Sequence, residues 1–372
     1  MLIGVPKEIK NHEYRVGLVP SSVRELVEHG HQVIIQHGAG IGIGIDDSAY
    51  ELVGAKIVET AAEIFQKADM IIKVKEPQAS ECKMLREGQV LFTYLHLAPD
   101  PEQARLLQAS GCVAIAYETV TNKNGGLPLL APMSEVAGRM SIQAGANCLE
   151  ITNGGSGILL GGVPGVSPAK VVVLGGGAAG SNAVRVAMGM GAHVAVFDKS
   201  LDRLNHLDLQ FGSRITTVYS TADAIERFVA HADLVVGCVL VPGGSAPKLV
   251  TRAMLSNMRP GSVMVDVSID QGGCFETSRP TTHQNPTYIV DGIVHYCVTN
   301  MPGAVPRTST FALNNATLPF ILALANFGYQ QAMRQDMHLL NGLNVCKGRL
   351  THKAVAAALQ QEYTPADATL EC

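Results

Sequence analysis

Four polar residues stand where apolar runs of the sequence end or in the loops that follow, which is where α/β enzymes place their active groups. They are Arg15, Lys75, His96 and Asp270. An imidazole titrates near neutral pH and can carry a proton, whereas guanidinium and ammonium groups can hold a carboxylate. Taken alone, each residue could equally be a solvated charge or a capping group. Whether these residues have a catalytic or a structural role depends on the helices and strands that position them.

A glycine motif gives the clearest indication of a ligand. In the segment VVVLGGGAAG, Gly175, Gly177 and Gly180 have the spacing G-x-G-x-x-G between a β-branched run and a helix of small residues. Gly175 permits the tight turn, Gly177 lets the backbone approach a pyrophosphate, and Gly180 lets the helix pack close to the strand. The free N–H groups of that helix then face the phosphates. The motif predicts a dinucleotide-binding unit.

Asp198 indicates which dinucleotide is bound. It ends the next predicted strand, 18 residues after Gly180, near the position where an acid hydrogen-bonds the adenosine ribose. A carboxylate there repels the additional phosphate of NADP, so the sequence favours NAD. Arg203 lies nearby and is a feature that could favour NADP instead.

A second glycine-rich stretch, HGAGIGIGIDD at 37–47, also follows a predicted strand. The helix after it starts late, and Asp46 and Asp47 separate that helix from the glycines. Two acids at this position would repel a phosphate. We therefore predict a flexible surface or cleft loop here, and no second nucleotide site.

Short β-branched runs alternate with helical stretches along most of the chain. Continuous apolar runs of this length suit strands covered on both faces, as in parallel sheets with helices on each side. Helices are predicted at 21–30, with Ser21 as N-cap, and at 131–150, capped by Ser134. The apolar stretch 317–328 is too short to span a membrane and is predicted to be a buried helix. The predicted strands are 31–36, 70–75, 90–95, 112–118, 170–175, 193–198, 233–239 and 261–268.

The domain boundary is predicted where the long helix gives way to a Gly- and Pro-rich segment at 151–170, with a second break at 300–310. The predicted fold class is α/β with two doubly wound domains. A Rossmann domain at 130–302 would bind NAD, and a discontinuous Rossmann-like domain at 1–129 and 303–372 would bind the substrate. A cleft between two such domains is a common place for hydride transfer.

Composition excludes several classes of function. The chain has 372 residues, of which 47% are hydrophobic and 16% charged, and its formal net charge is −4. This length favours two domains, and the near-neutral charge argues against nucleic acid as a partner. We expect no membrane span and no secretory signal. The eight cysteines have no zinc spacing, so we expect no metal site, reduced thiols and a cytoplasmic location.

Seven segments, in the same order over nearly the whole chain, resemble the NAD-dependent alanine dehydrogenases. They are GVPKEIKNHEYRVGLVP, KVKEP, LHLAPD, APMSEVAGRMS, GGVPGVSPAKVVVLGGGAAG, VDVSIDQGG and YCVTNMPGAVPRTST. Their combination is far more specific than any one motif. The resemblance implies reversible oxidative deamination of L-alanine to pyruvate and ammonium with NAD, carried out by a homohexamer.

The resemblance also implies roles for single residues. Arg15 and Lys75 would bind the carboxylate and carbonyl end of the substrate. His96 would be the acid/base, and Asp270 would complete the catalytic set. The glycine motif and the resemblance together give these cofactor-binding residues: Ser134, Gly175, Gly177, Ala178, Ala179, Gly180, Asp198, Arg203, Ser220, Val239, Leu240, Val267, Ser268, Ile269, Asp270, Val298, Thr299, Asn300 and Met301.

Three alternatives stay open. The NAD-binding component of a proton-translocating transhydrogenase looks similar, but the expected absence of a membrane span and the Lys75/His96 pair favour the dehydrogenase. A saccharopine-type or opine dehydrogenase is another enzyme of this fold. A non-catalytic NAD-sensing protein is the third, because fold never guarantees activity. The sequence does not size the side-chain pocket, so glycine, serine and 2-aminobutyrate are further candidate substrates.

Overall fold

The computed structural model of the protein describes residues 1–239 and 246–370. They form two compact units, one made of Met1–Met133 with Val305–Cys372 and the other of Ser134–Ala304. The first unit is therefore discontinuous in the sequence. The predicted boundaries after residues 129 and 302 differ from these by four and two residues, since the observed ones follow residues 133 and 304.

Fifteen strands are present in the described residues, and they are numbered along the chain. They are β1 (Leu2–Val5), β2 (Gln32–Gln36), β3 (Lys56–Val58), β4 (Met70–Ile72), β5 (Val90–Thr93), β6 (Val113–Ala116), β7 (Lys170–Leu174), β8 (His193–Asp198), β9 (Ile215–Tyr219), β10 (Leu234–Gly237), β11 (Val263–Asp266), β12 (Thr287–Val290), β13 (Ile293–Tyr296), β14 (Leu343–Cys346) and β15 (Arg349–Leu350).

The α-helices are numbered in the same way. They are α1 (Pro20–Glu28), α2 (Asp47–Glu51), α3 (Ala61–Lys67), α4 (Ala79–Cys82), α5 (Pro101–Ser110), α6 (Ala131–Cys148), α7 (Ala178–Gly189), α8 (Leu201–Phe211), α9 (Ala222–Val229), α10 (Arg252–Leu255), α11 (Pro306–Gln335), α12 (Met337–Leu340) and α13 (Lys353–Leu359).

Each unit contains one twisted, mostly parallel sheet. The first has the order β15-β14-β6-β5-β4-β1-β2-β3 and the second the order β12-β13-β11-β10-β7-β8-β9. Antiparallel pairing is confined to β14 and β15 in the first sheet and to the β12–β13 pair in the second. In both sheets the strand order reverses beside the first strand, between β1 and β4 and between β7 and β10. Ligands of doubly wound folds bind outside the carboxyl ends of strands at such a point.

The apolar runs of the central strands are buried on both faces, which explains why they do not alternate with polar residues. In β7, Val171 and Val173 pack into one cluster with helices α6 and α7. Val172 and Leu174 face the opposite cluster, which includes Ile225 of α9. The predicted α/β class with two doubly wound units is confirmed.

All eight predicted strands are present, although most are one to three residues shorter than predicted. Two predicted helix caps are wrong. Helix α1 begins at Pro20, one residue before Ser21, and its N-cap is Val19, because a proline at the first helical position needs no N–H partner. Helix α6 begins at Ala131, so Ser134 lies inside its first turn. Gly30 has φ +81, as expected for a residue just after a helix end.

Helix α11 contains the predicted helix 317–328 and extends it to 30 residues. Among the described residues it is the one helix that is long and apolar enough to cross a membrane by length and composition. Core helices of globular proteins pass the same test, and Gly328, at φ 73 and ψ 158, interrupts the helical geometry. Only 33% of its most apolar window is buried, so the prediction of a buried helix is correct for one face only.

Candidate functional site

The carboxyl ends of β4 and β5 carry two of the three polar groups predicted for the first unit. Lys75 lies three residues beyond β4, and His96 lies three residues beyond β5. Because these strands are adjacent and parallel, the segments that follow them emerge at one edge of the sheet. Arg15 follows β1, the neighbour of β4, in the segment before α1.

Arg15 is a buried cation held by a buried carboxylate. Its side chain is 2% exposed, and its Nε and Nη2 donate to the two carboxylate oxygens of Glu13 at 2.7 and 2.6 Å. Its Nη1 lies 3.0 Å from the sulfur of Met133. Burial works to lower the pKa of the Arg15 guanidinium, but the hydrogen bond and charge of Glu13 outweigh it and raise that pKa above its ordinary value. The guanidinium therefore stays charged in a fixed plane.

Lys75 follows a buried ionic cluster. The Nζ of Lys73, fully buried, lies 2.9 Å from a carboxylate oxygen of Glu8 and 2.9 Å from one of Glu81. The other oxygen of Glu8 accepts the backbone N–H of Val74 at 2.6 Å and of Lys75 at 3.3 Å. These bonds fix the backbone from which the Lys75 side chain projects. The strand ends at Ile72 because the chain then turns to form this cluster.

The pKa values of this cluster follow from burial and charge. Burial raises the pKa of Glu8 above its ordinary 4.5, although Lys73 opposes the rise. Burial works to lower the pKa of Lys73, but Glu8 and Glu81 outweigh it and raise that pKa above 10.5. Nearby, burial raises the pKa of Glu76, but Lys75 and Lys10 lower it to a net value below 4.5. The surroundings of Lys75 thus hold both ammonium and carboxylate charges.

His96 is exposed and has a left-handed backbone, with φ 50. Its backbone N–H donates to the Glu118 carboxylate at 2.6 Å, and the N–H of Leu95 lies 3.2 Å from both oxygens of that group. Its imidazole stacks on the ring of Tyr94, with centroids 5.9 Å apart and planes inclined by 8°. The imidazole therefore projects from a tightly bonded turn.

Tyr94 contacts two of the segments that carry predicted groups of the first unit. Its backbone N–H donates to the carbonyl of Val74, next to Lys75, and its ring supports that of His96. Its hydroxyl donates to the carbonyl of Leu129 at 2.5 Å. Burial raises the pKa of this hydroxyl above 10, although the charge of Arg15 opposes the rise. Tyr94 thus contacts His96 and the backbone next to Lys75, and the charge of Arg15 acts on its hydroxyl.

The glycine motif of the second unit has the geometry that its spacing predicts. Gly175 follows β7 with φ +97, and a Cβ on Gly180 would lie 1.8 Å from the carbonyl oxygen of Gly175. Gly177 is the N-cap of α7, and a Cβ there would meet nothing within 4 Å. Gly180 therefore permits close packing, and Gly177 opens the helix N-terminus, with Ala178 and Ala179, to an approaching group.

Asp198 closes this turn. Its two carboxylate oxygens accept the backbone N–H groups of Gly176 and Ser200, each at 2.9 Å. The Nε of Arg203 donates to the carbonyl of Gly176, so Arg203 also braces the turn. The N–H of Ser220 donates to the backbone carbonyl of Asp198 at 3.0 Å. The structure thus joins Asp198, Arg203 and Ser220 to the glycine motif, and each carboxylate oxygen retains capacity for a further donor.

Asp270 lies on a loop organised by a buried aspartate. The carboxylate of Asp266 accepts the N–H of Ser268 at 3.0 Å and that of Cys274 at 2.9 Å, and burial raises its pKa above 3.8. The Ser268 hydroxyl donates to the carbonyl of Val239 at 2.8 Å. Asp270 itself is exposed, in the short helical turn Ile269–Gln271. Val267, Ser268 and Ile269 thus lie on one loop, which contacts Val239 through the Ser268 hydroxyl. The predicted residue Leu240 lies outside the described residues.

The loop 298–301 is anchored by contacts with Thr281 and His283 of the second unit. Val298 is buried, and the N–H of Thr299 donates to the carbonyl of Thr281 at 3.2 Å. Asn300 has φ 61, and its carbonyl contacts the His283 ring at 3.0 Å. Met301 begins a short helical turn and is buried. Ser134 is half-buried in α6, one turn before Gly138, where a Cβ would lie 2.0 Å from the carbonyl of Ala179.

The second glycine-rich stretch, predicted to be a flexible surface or cleft loop, contains a short helical turn and is closely packed. Residues Ile41–Ile43 form a short helix, and a Cβ on Gly42 would lie 2.5 Å from the carbonyl oxygen of Tyr14. Asp46 caps α2, and Asp47 pairs with the ring of His37 at 2.6 Å. The glycines here permit close packing beside the segment that carries Arg15.

Five functional candidates escaped the sequence analysis: Glu8, Glu13, Tyr94, Glu118 and Asp266. Each acts through a contact across the sheet or along a turn that no local motif records. A buried carboxylate next to a predicted cation, as in the segment HEYR, is the signal that could have found Glu13. Across residues 1–239 and 246–370, no group of three or more His, Cys, Asp or Glu side chains could hold a metal ion.

A cavity of about 820 Å³ lies away from these groups. It is lined by residues at the amino ends of β7, β8 and β9, among them Lys170, His193 and Arg214. The glycine motif lies at the opposite, carboxyl edge of the same strands. The cavity is therefore not where the fold would hold a dinucleotide.

Two family models match this chain. The one described as "Alanine dehydrogenase/PNT, N-terminal domain" matches residues 4–137, and the one described as "Alanine dehydrogenase/PNT, C-terminal domain" matches residues 141–353. An alanine dehydrogenase of Halomonas elongata is 60% identical over 366 residues, which cover 98% of this chain and 99% of that protein.

Solved structures give the same result. One described as L-alanine dehydrogenase superposes with a TM-score of 0.94 at 54% identity, covering 97% of this chain and 99% of that one. A transhydrogenase from Sinorhizobium meliloti superposes with a TM-score of 0.83 at 24% identity, covering 94% of this chain and 100% of that one. The second likeness is evidence for the fold alone.

Proposed function

The chain belongs to the alanine dehydrogenase/PNT family and is an amino-acid dehydrogenase, and on that premise we propose that it catalyses the reversible oxidative deamination of L-alanine to pyruvate and ammonium with NAD. The observation that carries this proposal is that the segments bearing Arg15, Lys75 and His96 follow the neighbouring parallel strands β1, β4 and β5 and so emerge at one edge of the first sheet. A small 2-keto acid needs cations for its oxygens and a proton carrier beside its keto group.

The residues of the second unit fit a dinucleotide. The space beside Gly177 and the N-terminus of α7 suit a pyrophosphate, and Asp198 at the end of β8 suits ribose hydroxyls. We assign NAD to this site because the Asp198 carboxylate disfavours a 2′-phosphate. When bound, the nicotinamide supplies an acceptor for the hydride that leaves Cα of alanine.

The cations of the first unit hold the substrate. Glu13 fixes the plane of the Arg15 guanidinium, to which we assign the substrate carboxylate. Glu8 fixes the backbone of Lys75, whose ammonium we assign to the carbonyl oxygen of pyruvate and to the hydroxyl of the carbinolamine. Holding the substrate in a fixed orientation supplies much of the rate enhancement of such reactions.

His96 moves the protons. Loss of hydride from Cα leaves an iminium on the substrate, water adds to it, and the carbinolamine then releases ammonium. The imidazole of His96 takes a proton from the attacking water and returns one to the departing nitrogen. Asp270 of the second unit would orient the water and stabilise the positive charge on nitrogen.

We also propose that the protein is a cytoplasmic homohexamer, as the resemblance implies. Exposed apolar side chains of the segment 151–166 support an assembly: Ile151 is 72% exposed, Leu159 66% and Val166 63%. The seven cysteines that the structure describes are buried free thiols, which suits a reducing compartment. Sedimentation of the purified protein measures the assembly directly, and a monomer would contradict it.

An assay of NADH formation tests the proposed reaction. L-Alanine should support turnover with NAD, and glycine, serine and 2-aminobutyrate should be slower. Lys75→Ala should raise the KM for pyruvate at least about tenfold and lower kcat, whereas Lys83→Ala, on the surface, should change neither. Unchanged kinetics of Lys75→Ala would remove this lysine from the site. Tight NADH binding without any turnover would indicate an NAD-sensing protein instead.

A further inference from the structure

The backbone of His96 has an unusual conformation for a residue with a large side chain. Its φ of 50 lies in the left-handed region, which a residue with a Cβ avoids unless other interactions hold it there. The residue is also exposed, so burial of its side chain does not fix this conformation. A specific partner must do so.

Glu118 is that partner. It lies on the short helical turn Tyr117–Thr119 directly after β6, beside the turn that follows β5. Its carboxylate accepts the N–H of His96 at 2.6 Å and lies 3.2 Å from the N–H of Leu95 through each oxygen. Two successive N–H groups bonded to one carboxylate define the local backbone direction. The glutamate therefore acts as a clamp on the turn.

The side chain of His96 is restrained separately. Its ring lies parallel to that of Tyr94, and the Tyr94 hydroxyl is tied to the carbonyl of Leu129. With the backbone held by Glu118 and the ring supported by Tyr94, the imidazole has one preferred position. Release of the backbone clamp would let His96 relax towards an ordinary φ, and its imidazole would move away from this position.

We infer that Glu118 is a positioning residue for the reaction, acting through the backbone of His96. This inference rests on the proposed role of His96 as the proton carrier. It assigns Glu118 no contact with substrate or cofactor. Its effect should therefore appear in kcat with L-alanine, should leave NADH binding unchanged, and should vanish once the imidazole is gone.

A double-mutant cycle tests the inference on the full-length protein. Glu118→Ala should lower kcat by roughly 10- to 100-fold, while the Kd for NADH, followed by fluorescence titration, stays as in the wild type. In the His96→Ala background the same change should lower the residual kcat by less than about twofold. An equal fractional loss in both backgrounds would overturn the inference, because Glu118 would then act independently of His96.

Two further variants complete the design. Glu118→Gln keeps an oxygen that can accept the His96 N–H, so its kcat should lie between those of Glu118→Ala and the wild type. If the Glu118→Ala protein does not fold, Glu118→Gln takes its place in the double-mutant cycle. Glu102→Ala removes an exposed carboxylate that pairs with Arg105, and kcat should not change.

The outcomes separate this inference from the proposed function. A fully active His96→Ala protein would contradict the proposed role of His96, and the inference with it. An inactive His96→Ala protein beside a fully active Glu118→Ala protein would contradict the inference alone.

Discussion

Single carboxylates fix the polar groups of the first unit. Glu13 holds the guanidinium of Arg15, Glu8 holds the backbone of Lys75, and Glu118 holds that of His96. An ion pair or charged hydrogen bond of this kind contributes little net stability once desolvation is included, but it fixes geometry. The acids of this unit therefore serve to orient its basic groups.

Asp198 allows a prediction about coenzyme preference. Asp198→Ala removes the carboxylate that would repel a 2′-phosphate, so the ratio of kcat/KM for NADP to that for NAD should rise at least about tenfold. The same change also frees the Gly176 N–H, so kcat/KM for NAD should fall. Steady-state rates with each coenzyme measure both effects.

An unchanged coenzyme ratio in Asp198→Ala would argue against the ribose role. Asp208→Ala, an exposed aspartate on α8 outside the turn, serves as the matched control and should leave both rates as in the wild type.

Among the helices and strands, the β7–α7 connection is the part that the sequence describes best. The strand, the turn and the helix are consecutive, so spacing alone places Gly175, Gly177 and Gly180. The turn at His96 could not be derived in this way. Its clamp, Glu118, is 22 residues away, and the contact depends on the pairing of β5 with β6. Local patterns predict local geometry, whereas contacts between neighbouring strands require the register of the sheet.

Alanine substitutions of two glycines in the β7–α7 connection should differ sharply in their effect on stability. Gly180→Ala would place a Cβ 1.8 Å from the carbonyl of Gly175, so the helix must move away from the strand. We expect a loss of about 1–3 kcal/mol in the free energy of unfolding, together with weaker NADH binding. Gly177→Ala meets no atom within 4 Å and should reduce NADH affinity while leaving stability nearly unchanged.

Urea denaturation and NADH titration of both glycine variants check this prediction. Gly189→Ala, at the end of α7 with no atom within 4 Å of its Cβ, is the matched control. Equal stability of the Gly180→Ala and Gly189→Ala proteins would show that the close approach does not matter.

The buried ionic cluster of Lys73, Glu8 and Glu81 should be important for the stability of the first unit. Lys73→Met would leave the carboxylates of Glu8 and Glu81 buried without their cation, at a cost of about 3–5 kcal/mol. Lys67→Met removes an exposed lysine that pairs with Glu63, and its cost should stay below about 1 kcal/mol. Urea denaturation compares the two, and similar losses would contradict the assigned importance of the cluster.

For the molecule as a whole, the repetition of one topology matters most. Both sheets have the strand order 3-2-1-4-5-6 when their parallel strands are numbered within each unit. Each unit therefore presents the loops beside its first strand as its binding edge. The alternation of strands and helices predicted this architecture, whereas β14 and β15, which add antiparallel strands from the far end of the chain, had no local signal strong enough to place them.

The pH dependence of global stability should include a contribution from His295. Burial lowers the pKa of this imidazole below its ordinary 6.5. A base with a lowered pKa in the folded state stabilises the fold above pH 6.5, and this contribution is lost as the pH falls through the folded-state pKa. The free energy of unfolding should therefore fall between pH 7 and pH 5.

Denaturation of the His295→Gln variant and the wild type over this pH range isolates the effect of His295. Glu8 and Asp266, whose pKa values are raised, contribute to the pH dependence of stability with the opposite sign, but they do so equally in both proteins. The variant should lose stability less steeply on acidification than the wild type. Identical slopes in the two proteins would contradict the prediction.

The kcat of His96→Ala for L-alanine-dependent NADH formation, compared with the wild type and with His29→Ala, tests the central claim most directly. His29 is an exposed histidine at the end of α1 and serves as the control. The account predicts a loss of about 10²- to 10⁴-fold for His96→Ala, with NADH binding intact, and no loss for the control. A His96→Ala protein that retained most of the wild-type kcat would contradict it.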